Sequence, residues 1–176
     1  PLYLARYGRR IVQISTDYVF DGTSCRPYTE KDAPNPVSVY GRTKLAGENA
    51  VLAGAECAVV IRTSWLYSSF GANFVKTMRR LGAERESLGV VFDQAGTPTY
   101  AADLAAAIVS MLPQIRPGMK EVYHFSNEGV TSWYDFAVAI MEESHLACAV
   151  RPIESSAYPT RAVRPAYSVL NKAKIK

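Results

Sequence analysis

Short apolar runs alternate along this chain with longer stretches whose apolar positions recur at helical spacing. RIVQIS (10–15) is a β-branched run suited to a buried parallel strand. CAVVIRTSW (57–65) is near-continuously apolar, the pattern of a strand covered on both faces. LGVVFDQAGTPTY (88–100) predicts a short strand running into a Gly-Thr-Pro turn, EVYHFSN (121–127) a further strand, and VRPIES (150–155) a short last one. Between them lie helical patterns. SVYGRTKLAGENAVLA (38–53) has Ser38 as N-cap, Val39, Leu45, Ala46, Ala50 and Val51 as apolar surface, and Gly54 as a stop. ANFVKTMRRLGAE (72–84) spaces Phe74, Val75, Met78 and Leu81 along one face. ADLAAAIVSMLPQI (102–115) ends near Pro113, SWYDFAVAIMEESHLA (132–147) is amphipathic, and a final helix is expected from Ser168.

Strands separated by helices of this length imply βαβ units and a mostly parallel sheet, so the fold class is α/β. DYVFDGTSCRPYTEKDAPNP (17–36) is a long loop rich in Gly, Pro and Asp, of a length more often functional than idle. No internal repeat, low-complexity tract or linker interrupts the pattern. Nothing matches G-x-G-x-x-G after an opening strand, so the phosphate-binding turn of a Rossmann half-domain is not in this sequence. PLYLARYGRRIVQIS instead reads as the tail of a helix followed by an interior strand.

Composition narrows the function classes. The 176 residues are 48% hydrophobic and 20% charged, as in an ordinary globular domain. No apolar run approaches a membrane span, and the charged start does not resemble a secretory signal, so a cytoplasmic location is expected. The net charge of +4 comes from scattered basic residues, not from a clustered face. That disfavours nucleic acid and suits an anionic small molecule. Cys25, Cys57 and Cys148 form no C-x-x-C pair, which argues against a zinc site or disulfide scaffold, and Cys57 reads as a core thiol.

Candidate chemistry gathers at two places. In QISTDYVFDG (13–22) an apolar strand ends in Ser15, Thr16 and Asp17, where open α/β sheets bind ligands. A hydroxyl there can hold a substrate oxygen, or it can simply cap the turn. Tyr40 and Lys44 are four residues apart and share one helix face. An ammonium this close favours a phenolate and suits the phenol to general-acid work, although two exposed surface residues would give the same pattern. Thr16 precedes Tyr40 by 24 residues, enough for the chain to fold the hydroxyl back beside the phenol. His124 and His145 read as structural, and the pair Glu142-Glu143 as a solvated helix face.

STDYVFDG, P-Y-T-E, P-N-P, VYGRTKLAGE, IRTSWLY…GANFVKTM, DQAGTPTYAADLA, VYHFSNEGVTSWYDFA and RPAYSVL together resemble the dTDP-4-dehydrorhamnose reductase family of extended short-chain dehydrogenases/reductases. The resemblance implies a Rossmann-like fold in which residues 1–70 supply the second half of the nucleotide-binding domain. Residues 71–176 would then supply a mixed substrate-binding portion and the remaining Rossmann strand and helix. It further implies a preceding nucleotide-binding half and a C-terminus that stops short of the family's last helix, so this stretch alone is expected to be inactive. The implied activity is reduction of the 4-keto group of dTDP-4-dehydro-L-rhamnose by NADPH or NADH. By motif, Thr16 would hold the 4-keto oxygen, Tyr40 would protonate it, and Lys44 would tune Tyr40 and bind the nicotinamide ribose. Thr63 and Ser64 would line the cofactor side. Asp17, Tyr18, Trp65, Asn73, Phe74, Gln94, Thr97 and Arg164 would contact the dTDP-linked 4-keto-6-deoxyhexose, Trp65 as a wall for the sugar ring and Arg164 toward the diphosphate. Some members of the family use magnesium at a dimer interface, so a homodimer is compatible with the resemblance, and no residue here is assigned to the metal. The same fold also resembles the regulatory subunit of methionine adenosyltransferases, and a reductase of another nucleotide-linked 4-keto sugar would share the same Thr-Tyr-Lys set.

Overall fold

The alternation of strand and helix patterns is realised over most of its length in the computed structural model, which describes residues 10–160 and 162–176. In chain order the elements are β1 (Arg10–Thr16), α1 (Val39–Gly54), β2 (Cys57–Thr63), β3 (Leu66–Tyr67), α2 (Phe74–Glu84), β4 (Ser87–Val91) and β5 (Ala95–Gly96). They continue with β6 (Thr99–Tyr100), α3 (Ala101–Met111), β7 (Lys120–His124), β8 (Thr131–Ser132), α4 (Trp133–Glu143) and β9 (Ala149–Ile153). The stretch before Arg10, read above as the tail of a helix, lies outside the described residues.

The main sheet has the order β1-β2-β7, and both pairings are parallel. Every residue of the central strand β2 is buried, as its unbroken apolar run requires. On one face Cys57, Val59 and Ile61 pack with Leu104, Met111 and Ile115 from α3 and the turn after it. On the other, Ala58 meets Val51 and Ala55 from the end of α1. A second layer pairs β4 with β9 in parallel and covers them with α2 and α4, around Met78, Leu88, Val90, Ala137, Ile140 and Met141. Two short ladders, β3–β6 and β5–β8, stitch the strand ends between these layers.

Helix starts follow local chemistry. Ser38 Oγ accepts the Gly41 N–H at 3.0 Å, Asn73 Oδ1 accepts that of Lys76 at 3.1 Å, and Ser132 forms a reciprocal capping box with Asp135. The expected helix from Ser168 does not form. Its backbone groups are taken by distant partners: the Ser168 N–H donates to the Ala95 carbonyl, the Tyr28 N–H to the Val169 carbonyl, and Leu170 bridges Tyr28. The last amphipathic helix ends at Glu143, four residues early, where Ser144 and then His145 (φ 53°) turn the chain away. The face of α1 also differs from expectation. Val39, Ala46 and Ala50 point outward, while Gly41, Glu48 and Val51 are buried. Among the described residues, no helix is long and apolar enough to cross a membrane.

Candidate active site

Because β1, β2 and β7 run parallel, their carboxyl ends gather at one edge, with Thr16 opposite Thr63 in register. β1 leaves the sheet through a single 3-10 turn, Asp17–Val19, which Thr16 caps. The buried Thr16 hydroxyl accepts the Tyr18 N–H at 3.2 Å and donates to Asp17 Oδ1 at 3.0 Å. Capping and a reactive role are therefore compatible, since the same O–H can turn from Asp17 to an incoming oxygen. Burial lifts the Asp17 carboxyl to about 6, although hydroxyls of Ser168 and Thr16 hold it down in part. Tyr18 is raised as well, chiefly by burial and then by Asp17, with the positive charge of Arg164 working the other way.

Helix α1 delivers Tyr40 and Lys44 to this edge. Tyr40 is half exposed, and its ring meets Tyr18 edge-to-face at 5.6 Å between centroids. Lys44 Nζ donates to the Ile14 carbonyl at 2.6 Å, so the ammonium is tied to β1 and not to the phenol. An ammonium carries three donors, which leaves Lys44 able to hold a ribose hydroxyl. Two residues that pattern reading passed over make this placement possible. Gly41, inside VYGRTK, lets the first turn of α1 sit on the 3-10 turn, where a Cβ would lie 2.1 Å from the Tyr18 carbonyl oxygen. Glu48, one turn beyond Lys44, is fully buried in a bidentate pair with Arg62 of β2 (Nη2–Oε2 2.7 Å, Nε–Oε1 3.0 Å). Ser15 donates a further hydrogen bond to the same carboxylate. The signal was available as an acid and a base inside apolar patterns, but only tertiary contact pairs them.

The end of β2 is held equally firmly. Thr63 is buried, its hydroxyl near that of Thr99. Ser64 Oγ donates to the Thr97 carbonyl at 2.7 Å, and Thr97 Oγ1 donates to the Gly129 carbonyl at 2.8 Å. These hydroxyls fix the strand end and the turn beside it. Trp65 follows with φ 45°, a strained value for a non-glycine residue, and its indole lies flat on that of Trp133.

A cavity of about 730 Å³, a size suited to a small-molecule ligand, opens between α2, β4 and the segment around Arg164, and neither Thr16, Tyr40 and Lys44 nor Asp17, Tyr18, Thr63 and Ser64 line it. The structure brings Phe74, Gln94 and Arg164 together on its wall, with Trp133 among them. Gln94 is oriented by Ser155 (Nε2–Oγ 2.8 Å). Arg164 is exposed on that wall, and its positive charge is near enough to Tyr18 to oppose the rise that burial causes there. Asn73, Thr97 and Trp65 are not on that wall: Asn73 caps α2 and donates to the Ser68 carbonyl, and Thr97 is fully enclosed. His124 is structural, with its N–H on Glu30 and Nδ1 at the Tyr28 carbonyl, and burial lowers it to about 4. Among the described residues, no cluster of three or more His, Cys, Asp or Glu side chains could hold a metal ion.

Known proteins resemble this chain in sequence and fold. Residues 3–176 match the family described as RmlD substrate binding domain. The spore coat polysaccharide biosynthesis protein SpsK of Bacillus subtilis is 45% identical over 94% of this chain and 57% of its own length. A dTDP-4-dehydrorhamnose reductase of Aggregatibacter actinomycetemcomitans is 42% identical over 97% of this chain and 61% of its own. A crystal structure of dTDP-4-dehydrorhamnose reductase from Bacillus anthracis in complex with NADP superposes with a TM-score of 0.94 at 40% identity, covering 99% of this chain and 61% of that one. The chain thus spans about three fifths of the relatives it matches.

Proposed function

The chain belongs to the RmlD substrate-binding domain family, and from that membership we propose that it is the substrate-binding and proton-donating part of a reductase. The reaction is reduction of the 4-keto group of dTDP-4-dehydro-L-rhamnose to give dTDP-L-rhamnose. Residues 1–70 form the second half of a Rossmann-like domain with the Thr16, Tyr40 and Lys44 set, and residues 71–176 form the substrate portion that also returns β7 to the sheet. The observation that carries this reading is the convergence of a buried threonine hydroxyl, an exposed phenol and a strand-tethered ammonium at one sheet edge, together with a cavity that Arg164 borders.

A carbonyl oxygen at that edge meets Thr16 Oγ1, which leaves Asp17 to donate to it. As negative charge builds on the oxygen, the Tyr40 phenol transfers its proton there. NADPH or NADH, when bound, supplies the hydride. The Lys44 ammonium has donors left for a ribose hydroxyl, whereas Thr63 and Ser64 border the cofactor side through the strand end they hold. Arg164 suits the diphosphate, and Phe74 and Gln94 the nucleoside. A relative that is a dTDP-4-dehydrorhamnose reductase, and the NADP in the Bacillus anthracis structure, support the substrate and cofactor classes. With no glycine-rich dinucleotide turn in the sequence, the 176 residues alone are not expected to oxidise NADPH.

The test is NADPH consumption by the full-length protein. Consumption that requires the keto sugar and yields dTDP-L-rhamnose is the expected result. Saturable binding of the nucleotide sugar without turnover contradicts the reading and identifies a binding module.

A further inference from the structure

The chain's two tryptophans stack on each other, and only one of them lines the cavity. The ring centroids of Trp65 and Trp133 are 3.5 Å apart with an interplanar angle of 7°. Aromatic pairs left to themselves prefer an offset or edge-on arrangement, so a near face-to-face pair is held by its surroundings. Trp133 is the first residue of α4, fixed by the Ser132 capping box and by β8, whose Thr131 pairs with Gly96 of β5. Gly96 in turn abuts the Trp65 indole edge, where a Cβ would fall 2.5 Å from Cε2. On its cavity side Trp133 meets Phe74, 4.6 Å between centroids, and Phe74 lines the same cavity. An unbroken aromatic path therefore runs from the cavity wall, through Trp133, to Trp65, two residues past the end of β2 at the buried Thr63.

We propose that Trp133 is a positioning residue that transmits occupancy of the cavity by a nucleoside diphosphate to Trp65, and so sets the surface against which the keto-sugar ring is presented. This rests on the functional reading above. A ligand in the cavity presses on Phe74 and Trp133, and Trp133 lies flat on Trp65, whose indole edge is confined by Gly96. The strained backbone of Trp65 gives that indole a second reason to be held in place and not merely to rest there.

The stack has its own spectroscopic signature. Two indoles in face-to-face contact couple their electronic transitions and give an exciton couplet in the far-ultraviolet circular dichroism, which the difference between parent and Trp133→Phe isolates. The experiment titrates the full-length protein with dTDP while following that couplet, and repeats the titration and the turnover assay for Gly96→Ala. Gly96 does not line the cavity, so its variant disturbs Trp65 at the indole edge without altering the cavity wall itself. The expected results are a couplet that changes saturably with dTDP in the parent and is lost in Trp133→Phe. In Gly96→Ala the dTDP affinity stays near that of the parent, while kcat for the keto sugar falls roughly 10- to 100-fold, the size expected when a reacting group is displaced by a fraction of an ångström to an ångström. Saturable dTDP binding with an unchanged couplet overturns the coupling alone, as does a Gly96→Ala protein with an altered couplet and the parent's kcat. Failure of dTDP to bind the parent overturns the functional reading and the coupling with it.

Discussion

Asp17 and His124 are buried near the same sheet edge and pull the stability of the fold in opposite directions with pH. Burial raises Asp17 from 3.8 to about 6, so between those values the folded chain holds a proton that the unfolded chain has released, and stability falls as pH rises. Burial lowers His124 from 6.5 to about 4, so over nearly the same window the unfolded chain holds the extra proton, and stability is lost as pH falls. Each contribution is on the order of 3 kcal/mol, and they offset each other. Asp17→Asn therefore unmasks the histidine. Urea unfolding of that variant should show stability climbing between about pH 4 and about pH 6.5, where the parent stays comparatively flat. A variant as flat as its parent contradicts the opposition. That Thr16 ends a strand and that Tyr40 and Lys44 share one helix was legible from pattern and spacing. What Asp17 titrates to, and that Lys44 reaches the Ile14 carbonyl, were not, because both depend on burial and on neighbours distant in sequence.

At the scale of elements, the phase of α1 decides whether Tyr40 faces the sheet edge at all. Helical periodicity selects Ala46 and Ala50 as the inward positions, yet the helix turns Glu48 inward instead. A carboxylate overrides an alanine stripe because Arg62 and Ser15 satisfy it inside the core, and sequence pattern alone cannot put a charge in the interior. Glu48→Ala strands the Arg62 guanidinium and should cost about 3–5 kcal/mol in chemical unfolding. Adding Arg62→Leu removes the stranded charge, so the double variant should lose clearly less than the sum of the two single losses. Additive losses would mean that the pair does not set the helix phase. The helix expected from Ser168 failed for a related reason, since its backbone groups were already committed to Ala95 and Tyr28, far away in the chain.

At the scale of the whole molecule, alternating apolar runs and helical stripes were enough to predict a parallel α/β sheet, and β1, β2 and β7 form one. The short β5–β8 ladder and the β4–β9 pairing were not legible, because two-residue strands carry no periodicity and register across some sixty residues leaves no local trace. Those unforeseen pairings are what line the cavity with β4 and bring Trp133 to Trp65. The central claim is that a ketone held at that edge takes its proton from Tyr40. It is tested most directly by single-turnover reduction of dTDP-4-dehydro-L-rhamnose in the full-length protein carrying Tyr40→Phe, with dTDP affinity measured by calorimetry on the same sample. The account predicts a fall in the chemical rate of roughly 10²- to 10⁴-fold with binding preserved. A variant that reduces the sugar at the parent's rate would contradict it.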